Sequence, residues 1–116
     1  MLDTRTKIVP AEAALARLAG RPLVAAYFDP LIASQTDRFR ELAEQHGPLA
    51  ICICDPADPL LPAQARAELA AACRDVEMVV IGESFLSRST KVIDERPGDL
   101  ERRAALMNLV RSRQNG

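Results

Sequence analysis

The residues best placed for ligand chemistry follow the apolar run at 23–28, where Tyr27, Phe28 and Asp29 lead into a proline. Ser34 and Gln35 come a few positions later, at the expected start of a helix. Free backbone N–H groups at the start of a helix can hold a phosphate. The alternative is that Asp29 only turns the chain or caps this helix and that nothing binds here. The residue types leave both interpretations open.

Further candidates for contact with a phosphate are Arg66 and the segment Arg88-Ser89-Thr90. A guanidinium group stays charged and presents several N–H donors that match the geometry of a phosphate. Arg66 and Arg88 are therefore candidate phosphate clamps, although each could equally be a surface arginine in solvent.

Two aspartates, Asp29 and Asp55, each end an apolar run and precede a proline. Carboxylate oxygens at these positions could hold a magnesium ion. We favour a turn or capping role for both of them. Cys52 and Cys54 alternate within an apolar run, and His46 is the single histidine of the chain. This is too few ligands for a metal site, so we expect both thiols to be buried structural groups.

The hydrophobic pattern predicts the elements that position these residues. Apolar runs predict buried strands over 23–28, 49–54 and 78–81, and helical patterns cover 10–19, 34–46 and 62–72. Strands that alternate with helices are typical of an α/β fold, with a parallel sheet and helices on both faces. Ligands of such sheets bind beyond the carboxyl ends of the strands, which here lie near Asp29, Asp55 and Gly82.

The C-terminal part is less regular. Residues 83–89 predict a loop, residues 91–94 predict a short strand or the start of a helix, and Pro97 with Gly98 predicts a break. Residues 99–113 predict a final helix, with acidic residues at its start and arginines at its end, as the helix dipole favours. Its apolar stripe consists of Leu100, Ala104, Met107 and Val110, widened by Leu106 and Leu109.

The segment that contains Asp29 resembles a motif of the cytidylyltransferase-like nucleotidyltransferases, in which a strand is followed by F-D-x-L-H-x-G-H. Phe28, Asp29 and Leu31 match its first half. The second half differs at three positions, where two histidines and a glycine are replaced by Ile32, Gln35 and Ser34, respectively.

Other segments are similar to the same family. Lys7-Ile8-Val9 resembles a K-I-V segment at the entry of some members of the family, and Arg88-Ser89-Thr90 resembles a motif that contacts phosphates. The segment from Pro62 to Ile81 matches the family's pattern at Arg66, Leu69, Val76, Val79 and Val80. The resemblance covers most of residues 7–81 and implies a three-layer sandwich with a parallel, Rossmann-like nucleotidyltransferase sheet. Because the chain reaches its Arg-Ser-Thr segment early, the resemblance also implies a sheet truncated near the C-terminus.

The resemblance implies a reaction in which a substrate phosphate attacks the α-phosphate of CTP or ATP and releases pyrophosphate. The family's histidines stabilise charge on the transferring phosphate, whereas Ile32 has no donor and Gln35 has no positive charge. Loss of one such donor costs about 10²–10³ in rate. We therefore expect a degenerate domain with little or no transferase activity, which binds a nucleotide, with magnesium, or a phosphorylated small molecule. The alternatives are a non-catalytic structural or protein-interaction module, or a transferase with an unorthodox site.

No catalytic residue is assigned from the sequence. The candidate nucleotide-binding residues lie near the expected strand ends or match the family's motifs, and they are Tyr27, Phe28, Asp29, Ser34, Gln35, Arg66, Arg88, Ser89 and Thr90.

The bulk properties narrow the function classes. The 116 residues suit a single domain over 1–116, and the net charge of −1 argues against a nucleic-acid binder driven by phosphate contacts. No apolar stretch is long enough to span a bilayer. An odd number of cysteines and the lack of a signal-peptide pattern predict a cytoplasmic protein without disulfides. A truncated sheet exposes a strand edge, so we expect a homodimer as one way to cover it.

Overall fold

The computed structural model describes residues 3–29, 33–89 and 91–115, which form a four-stranded parallel sheet with helices packed against it. The strands are β1 (Leu23–Ala26), β2 (Leu49–Ile53), β3 (Val76–Ile81) and β4 (Val92–Asp94). They lie in the order β3-β2-β1-β4, with Leu23 of β1 opposite Ala50 of β2 and Val92 of β4. The carboxyl end of β1 is therefore central in the sheet.

The helices are α1 (Ala11–Leu18), α2 (Ala33–His46), α3 (Ala63–Ala71) and α4 (Arg96–Asn115), with short 3-10 helices at Thr4–Lys7 and Glu83–Arg88. The chain leaves α2 at Gly47, whose φ of +81° suits a residue without a side chain. The N–H of Gly47 donates to the carbonyl of Ala43 at 2.8 Å, which satisfies one of the last free carbonyls of the helix.

Each face of the sheet carries its own apolar cluster, because successive side chains of a strand point to opposite faces. One face packs against α2 and α3, and the other packs against α1 and the 3-10 helix that follows β3. The first cluster includes Val24, Ile51, Phe39 and Ala67, and the second includes Ala25, Cys52, Leu18 and Phe85. The buried positions on both faces explain why the strands have continuous apolar sequences.

The predicted α/β class and the parallel strands are confirmed, and the arrangement is compatible with a Rossmann-like fold. The strand bounds differ in detail. β1 and β2 end before their apolar runs do, so Tyr27, Phe28 and Cys54 lie beyond them. Phe28 has a φ of 55°, which turns its backbone out of the extended conformation. β3 begins at Val76, earlier than its apolar run indicates.

Two predictions for the C-terminal part are wrong. The predicted loop over 83–89 is largely the 3-10 helix Glu83–Arg88, anchored by Phe85, which is buried in the core. Pro97 and Gly98 do not interrupt the secondary structure before the final helix. They lie in the first turn of α4, which begins at Arg96. A proline is tolerated there because its missing N–H would have no helical partner. For residues 91–94, the structure adopts the predicted strand, as β4.

Candidate functional site

The chain turns sharply after β1, where the predicted site begins. Phe28 is fully buried, and its ring stacks on that of Phe39 of α2, with the ring centroids 5.1 Å apart. Its positive φ is uncommon for a residue with a side chain and is held here by that packing. Phe28 therefore contributes to the core and cannot present its ring to a ligand.

Asp29 is buried directly after this turn. Its Oδ2 accepts a hydrogen bond from the N–H of Leu60 at 2.7 Å, and its Oδ1 accepts one from the N–H of Leu61 at 2.9 Å. Arg103 of α4 lies 3.9 Å from Oδ2. Both oxygens thus organise the loop that leads into α3, and this loop joins the end of β2 to the next helix.

Arg66 of α3 is buried, with 1 % of its surface exposed. Its Nη1 donates to the carbonyls of Tyr27 at 3.0 Å and Cys54 at 2.6 Å, and its Nε donates to the carbonyl of Leu61 at 3.0 Å. Its Nη2 donates to Oδ1 of Asp55 at 2.6 Å. The guanidinium therefore ties together the ends of β1 and β2 and the start of α3, and its donors bind the protein itself.

The two aspartates considered for magnesium do not fit such a site. Both oxygens of Asp29 already accept backbone N–H groups, whereas Asp55 is exposed and paired with Arg66. A magnesium site would need free carboxylate oxygens that point to a common centre. Across residues 3–29, 33–89 and 91–115, no cluster of three or more His, Cys, Asp or Glu side chains could hold a metal ion.

Gln35, in the first turn of α2, is buried and binds a residue that the sequence analysis did not assign to the site. Its Nε2 donates to Oδ1 of Asp99, which lies in the first turn of α4. Oδ2 of Asp99 accepts the N–H of Tyr27 at 2.8 Å, and Arg102 lies 3.3 Å from Oδ1. Asp99 thus joins the end of β1, α2 and α4, and we call this contact the Asp99 tie.

Burial of the Asp99 carboxyl raises its pKa to about 6. The hydrogen bond from the Tyr27 N–H and the charge of Arg102 act in the opposite direction, and the charge of Glu95 adds to the rise. A carboxyl with this pKa changes its protonation state in mildly acidic solution rather than near pH 4.

Ion pairs that α2 and α4 each form with Glu95 surround the Asp99 tie. Nε of Arg38 lies 2.8 Å from Oε1 of Glu95, the residue that precedes α4, and Arg102 lies 3.5 Å from the same oxygen. Further along α4, Nη2 of Arg103 donates to the carbonyl of Asp58 at 2.6 Å, in the loop after β2. The first two turns of α4 are therefore fastened over the carboxyl ends of β1 and β2.

Arg88 and Ser89 lie in a different place. They line a cavity of about 120 Å³ together with residues at the end of α1, among them Leu18 and Gly20. This volume is below the ~300 Å³ of a typical small-molecule pocket. The hydroxyl of Ser89 donates to the carbonyl of Lys91 at 3.1 Å. Thr90 lies outside the described residues, as do Leu31 and Ile32 of the motif segment.

A larger cavity, of about 530 Å³, opens between α2 and the end of α3. Its lining includes Phe39, Ala43 and Cys73, with Arg40 and Arg74 at its charged margin. It contains none of the predicted site residues. The structure thus brings Tyr27, Phe28, Asp29, Gln35 and Arg66 together at the strand ends, whereas Ser34 is exposed at the start of α2.

Cys52 and Cys54 are free and buried, as their alternating positions predict. Sγ of Cys52 donates to the carbonyl of Gly82 at 3.2 Å. The neighbouring Cys54 thiol and burial hold the pKa of Cys52 well above its ordinary value. A thiol in this state is a poor nucleophile.

Asp99 is the residue of this cluster that sequence reasoning missed. Its position at the start of a helix is explained equally well by the helix dipole, so it carried no distinguishing signal. Its partners Gln35 and Tyr27 lie 64 and 72 positions away in the chain. Only the path of α4 over the strand ends brings them together.

No protein-family model and no curated protein matches this sequence. Within the part of the chain that the structure describes, no helix has the length and apolar character needed to cross a membrane.

Proposed function

We propose that this chain is a degenerate nucleotidyltransferase-like domain that has no transferase activity and acts as a protein-interaction module through α4. The Asp99 tie is the observation that carries this proposal. It holds the first turn of α4 over the end of β1, at the edge where parallel α/β sheets bind their ligands. In this proposal the helices on the two faces of the sheet form the three-layer sandwich implied by the resemblance.

The polar groups at the strand ends support the loss of a ligand. Asp29, Gln35 and Arg66 occupy or adjoin motif positions of the family, and all three are buried and bonded to the protein itself. A nucleotide could use these groups only if their present partners were left unpaired. Each buried group left without a hydrogen bond costs about 1–3 kcal/mol.

The exposed part of α4 supports the interaction role. Large apolar side chains of this helix are exposed to solvent, with 46 % of Leu100, 37 % of Met107, 50 % of Leu109 and 44 % of Val110 accessible. Scattered single apolar residues need no explanation, but Leu100, Met107 and Val110 are spaced to share one side of the helix, and a continuous exposed apolar surface marks contact with another molecule. The exposed part of α4 thus provides a binding surface, while its first turns cover the carboxyl ends of β1 and β2.

A thermal-shift panel tests the proposal. It contains CTP, ATP, their monophosphates, and sugar and polyol phosphates, each with and without magnesium. We expect no change in Tm with any of them at millimolar concentration. A ligand present at 100 times its Kd would add about 2.7 kcal/mol, which is several degrees for a domain of this size.

A reproducible shift with a nucleotide would overturn the proposal and support the alternative, a domain that still binds nucleotides. Two matched variants on α2 would then locate the ligand. Gln35→Ala should abolish a shift that arises at the strand ends, whereas Gln45→Ala changes an exposed glutamine of the same helix and should leave the shift intact.

A further inference from the structure

The two halves of α4 differ in their surroundings. Within the described residues, Arg103 is the last residue of the helix whose side chain forms a hydrogen bond or an ion pair with another element. Beyond it, almost every residue is exposed, including Ala104, Ala105 and Met107. The apolar side chains of the second half of α4 are therefore exposed, except for the half-buried Leu106.

One face of α4 has the spacing of a helix–helix contact. Leu100, Ala104, Met107 and Arg111 recur at intervals of four, three and four residues, which places them along one stripe of the helix. The small side chain of Ala104 lies between the two larger ones and would allow close approach of a second helix. All four residues are exposed in this structure.

The charges at this stripe attract a second copy of the helix when the two copies are antiparallel and repel it when they are parallel. Glu101 lies next to the stripe at its start, and Arg111 lies in the stripe at its end. Two antiparallel copies, centred between Ala104 and Met107, would set Leu100 and Glu101 of each against Arg111 of the other. The stem of Arg111 would cover Leu100 while its guanidinium reaches Glu101.

A parallel pair would instead place Arg111 against its own copy, and the two positive charges would repel each other. In the antiparallel pair a two-fold axis relates the copies, so the contact of Arg111 with Leu100 and Glu101 occurs twice. This arrangement places the two sheets at opposite ends of the helix pair, since the hydrogen bonds from the end of β1 and from the loop after β2 reach the first turns of α4.

Building on the interaction role proposed above, we propose that the partner of α4 is a second copy of this chain, with the two α4 helices packed antiparallel along Leu100, Ala104, Met107 and Arg111. The domain is then a symmetric homodimer that leaves the sheet edge at β4 outside the interface.

Charge-reversal variants test this arrangement. Their dimerisation is measured by sedimentation velocity over a range of micromolar concentrations. The unmodified chain should form a dimer. Glu101→Arg and Arg111→Glu should each weaken the dimer about tenfold, because each replaces two attractions with two repulsions. The double variant Glu101→Arg with Arg111→Glu should restore the original affinity, because it exchanges the charges and keeps their pairing.

Glu12→Arg is the matched control, since it reverses the charge of an exposed glutamate on α1 and should leave dimerisation unchanged. Because all of the changed side chains are exposed, circular dichroism should show the same helix content in every variant. A dimer that neither single change weakens would overturn the inference, and so would a double variant that remains weak.

A monomer at every concentration would also overturn it. That result would leave the proposed loss of nucleotide binding intact, because the thermal-shift panel measures ligand binding and does not depend on the oligomeric state. Conversely, a nucleotide-induced shift in a confirmed dimer would overturn the proposed loss of nucleotide binding and would leave the dimer inference intact.

Discussion

The backbone N–H of Tyr27 donates to Oδ2 of Asp99 at 2.8 Å, which joins the end of β1 to the first turn of α4 across 72 positions of the chain. Gln35 of α2 donates to the other oxygen of the same carboxyl. One side chain therefore binds three elements at the edge where a ligand of this kind of sheet would lie. This contact stabilises the domain, and the proposed loss of nucleotide binding rests on it.

Removal of the Asp99 tie should destabilise the domain. Asp99→Ala leaves the buried N–H of Tyr27 and the amide of Gln35 without acceptors, and we expect a loss of about 2–4 kcal/mol. Urea denaturation at pH 5 measures it. Asp37→Ala, a change at an exposed aspartate of α2, should lower the free energy of unfolding by no more than about 0.5 kcal/mol. Equal stability of the two variants would contradict the role of Asp99.

The Asp99 tie should also make stability depend on pH. The pKa of Asp99 is raised from 3.8 to about 6, so the folded state binds a proton that the unfolded state has released. The free energy of unfolding should therefore fall as the pH rises from 4 to 7, by about 1.4 kcal/mol per pKa unit and about 3 kcal/mol in all.

Asp99→Asn isolates this contribution, because asparagine does not titrate in this range. The unfolding free energy of the original chain minus that of Asp99→Asn should be highest near pH 4 and should decline towards pH 7. A constant difference across this range would show that the carboxyl is not shifted. Arg102 and Glu95, which face the same carboxyl, remain in both proteins.

Arg66 should behave as a structural residue and not as a phosphate clamp. Arg66→Ala leaves the carbonyls of Tyr27, Cys54 and Leu61 without their donors, and we expect a loss of about 3–5 kcal/mol in urea denaturation. Arg88→Ala, at an exposed arginine, should cost no more than about 0.5 kcal/mol. A stable Arg66→Ala variant with weaker phosphate binding would reverse this assignment.

The three thiols should react in an order set by their exposure. Cys73 is half-buried, whereas Cys52 and Cys54 are buried. A thiol reagent should therefore label Cys73 first and should reach the other two only as the chain unfolds. Mass spectrometry of the labelled peptides over time provides the measurement. Early labelling of Cys54 in the folded protein would show that the strand end is open.

The local pattern of the sequence was sufficient for the sheet, but it was not sufficient for the ends of its strands. Buried apolar runs locate β1 and β2, yet Phe28 and Cys54 extend those runs although they form no part of the strands. Their hydrophobicity reports burial, which continues where the strand hydrogen bonds stop. Phe85 shows the converse, since one buried ring anchors a helical turn within a polar segment.

The candidate site was predictable from the sequence only in part. Asp29 and Gln35 were candidates because they follow a strand and begin a helix, and Arg66 was a candidate because a guanidinium matches a phosphate. Their partners were not, since Asp99 meets Gln35 only through the path of α4 across the sheet. Whether a buried polar group serves a ligand or the fold depends on such distant contacts, which no local pattern records.

The most direct measurement of the central claim is an amide NMR titration of the domain with CTP and ATP in the presence of magnesium. The backbone amide of Tyr27 and the side-chain amide of Gln35 report on the Asp99 tie itself. The account predicts that both resonances stay in place at millimolar nucleotide. Saturable shifts of these two resonances would contradict it and would show that the strand ends still accept a nucleotide.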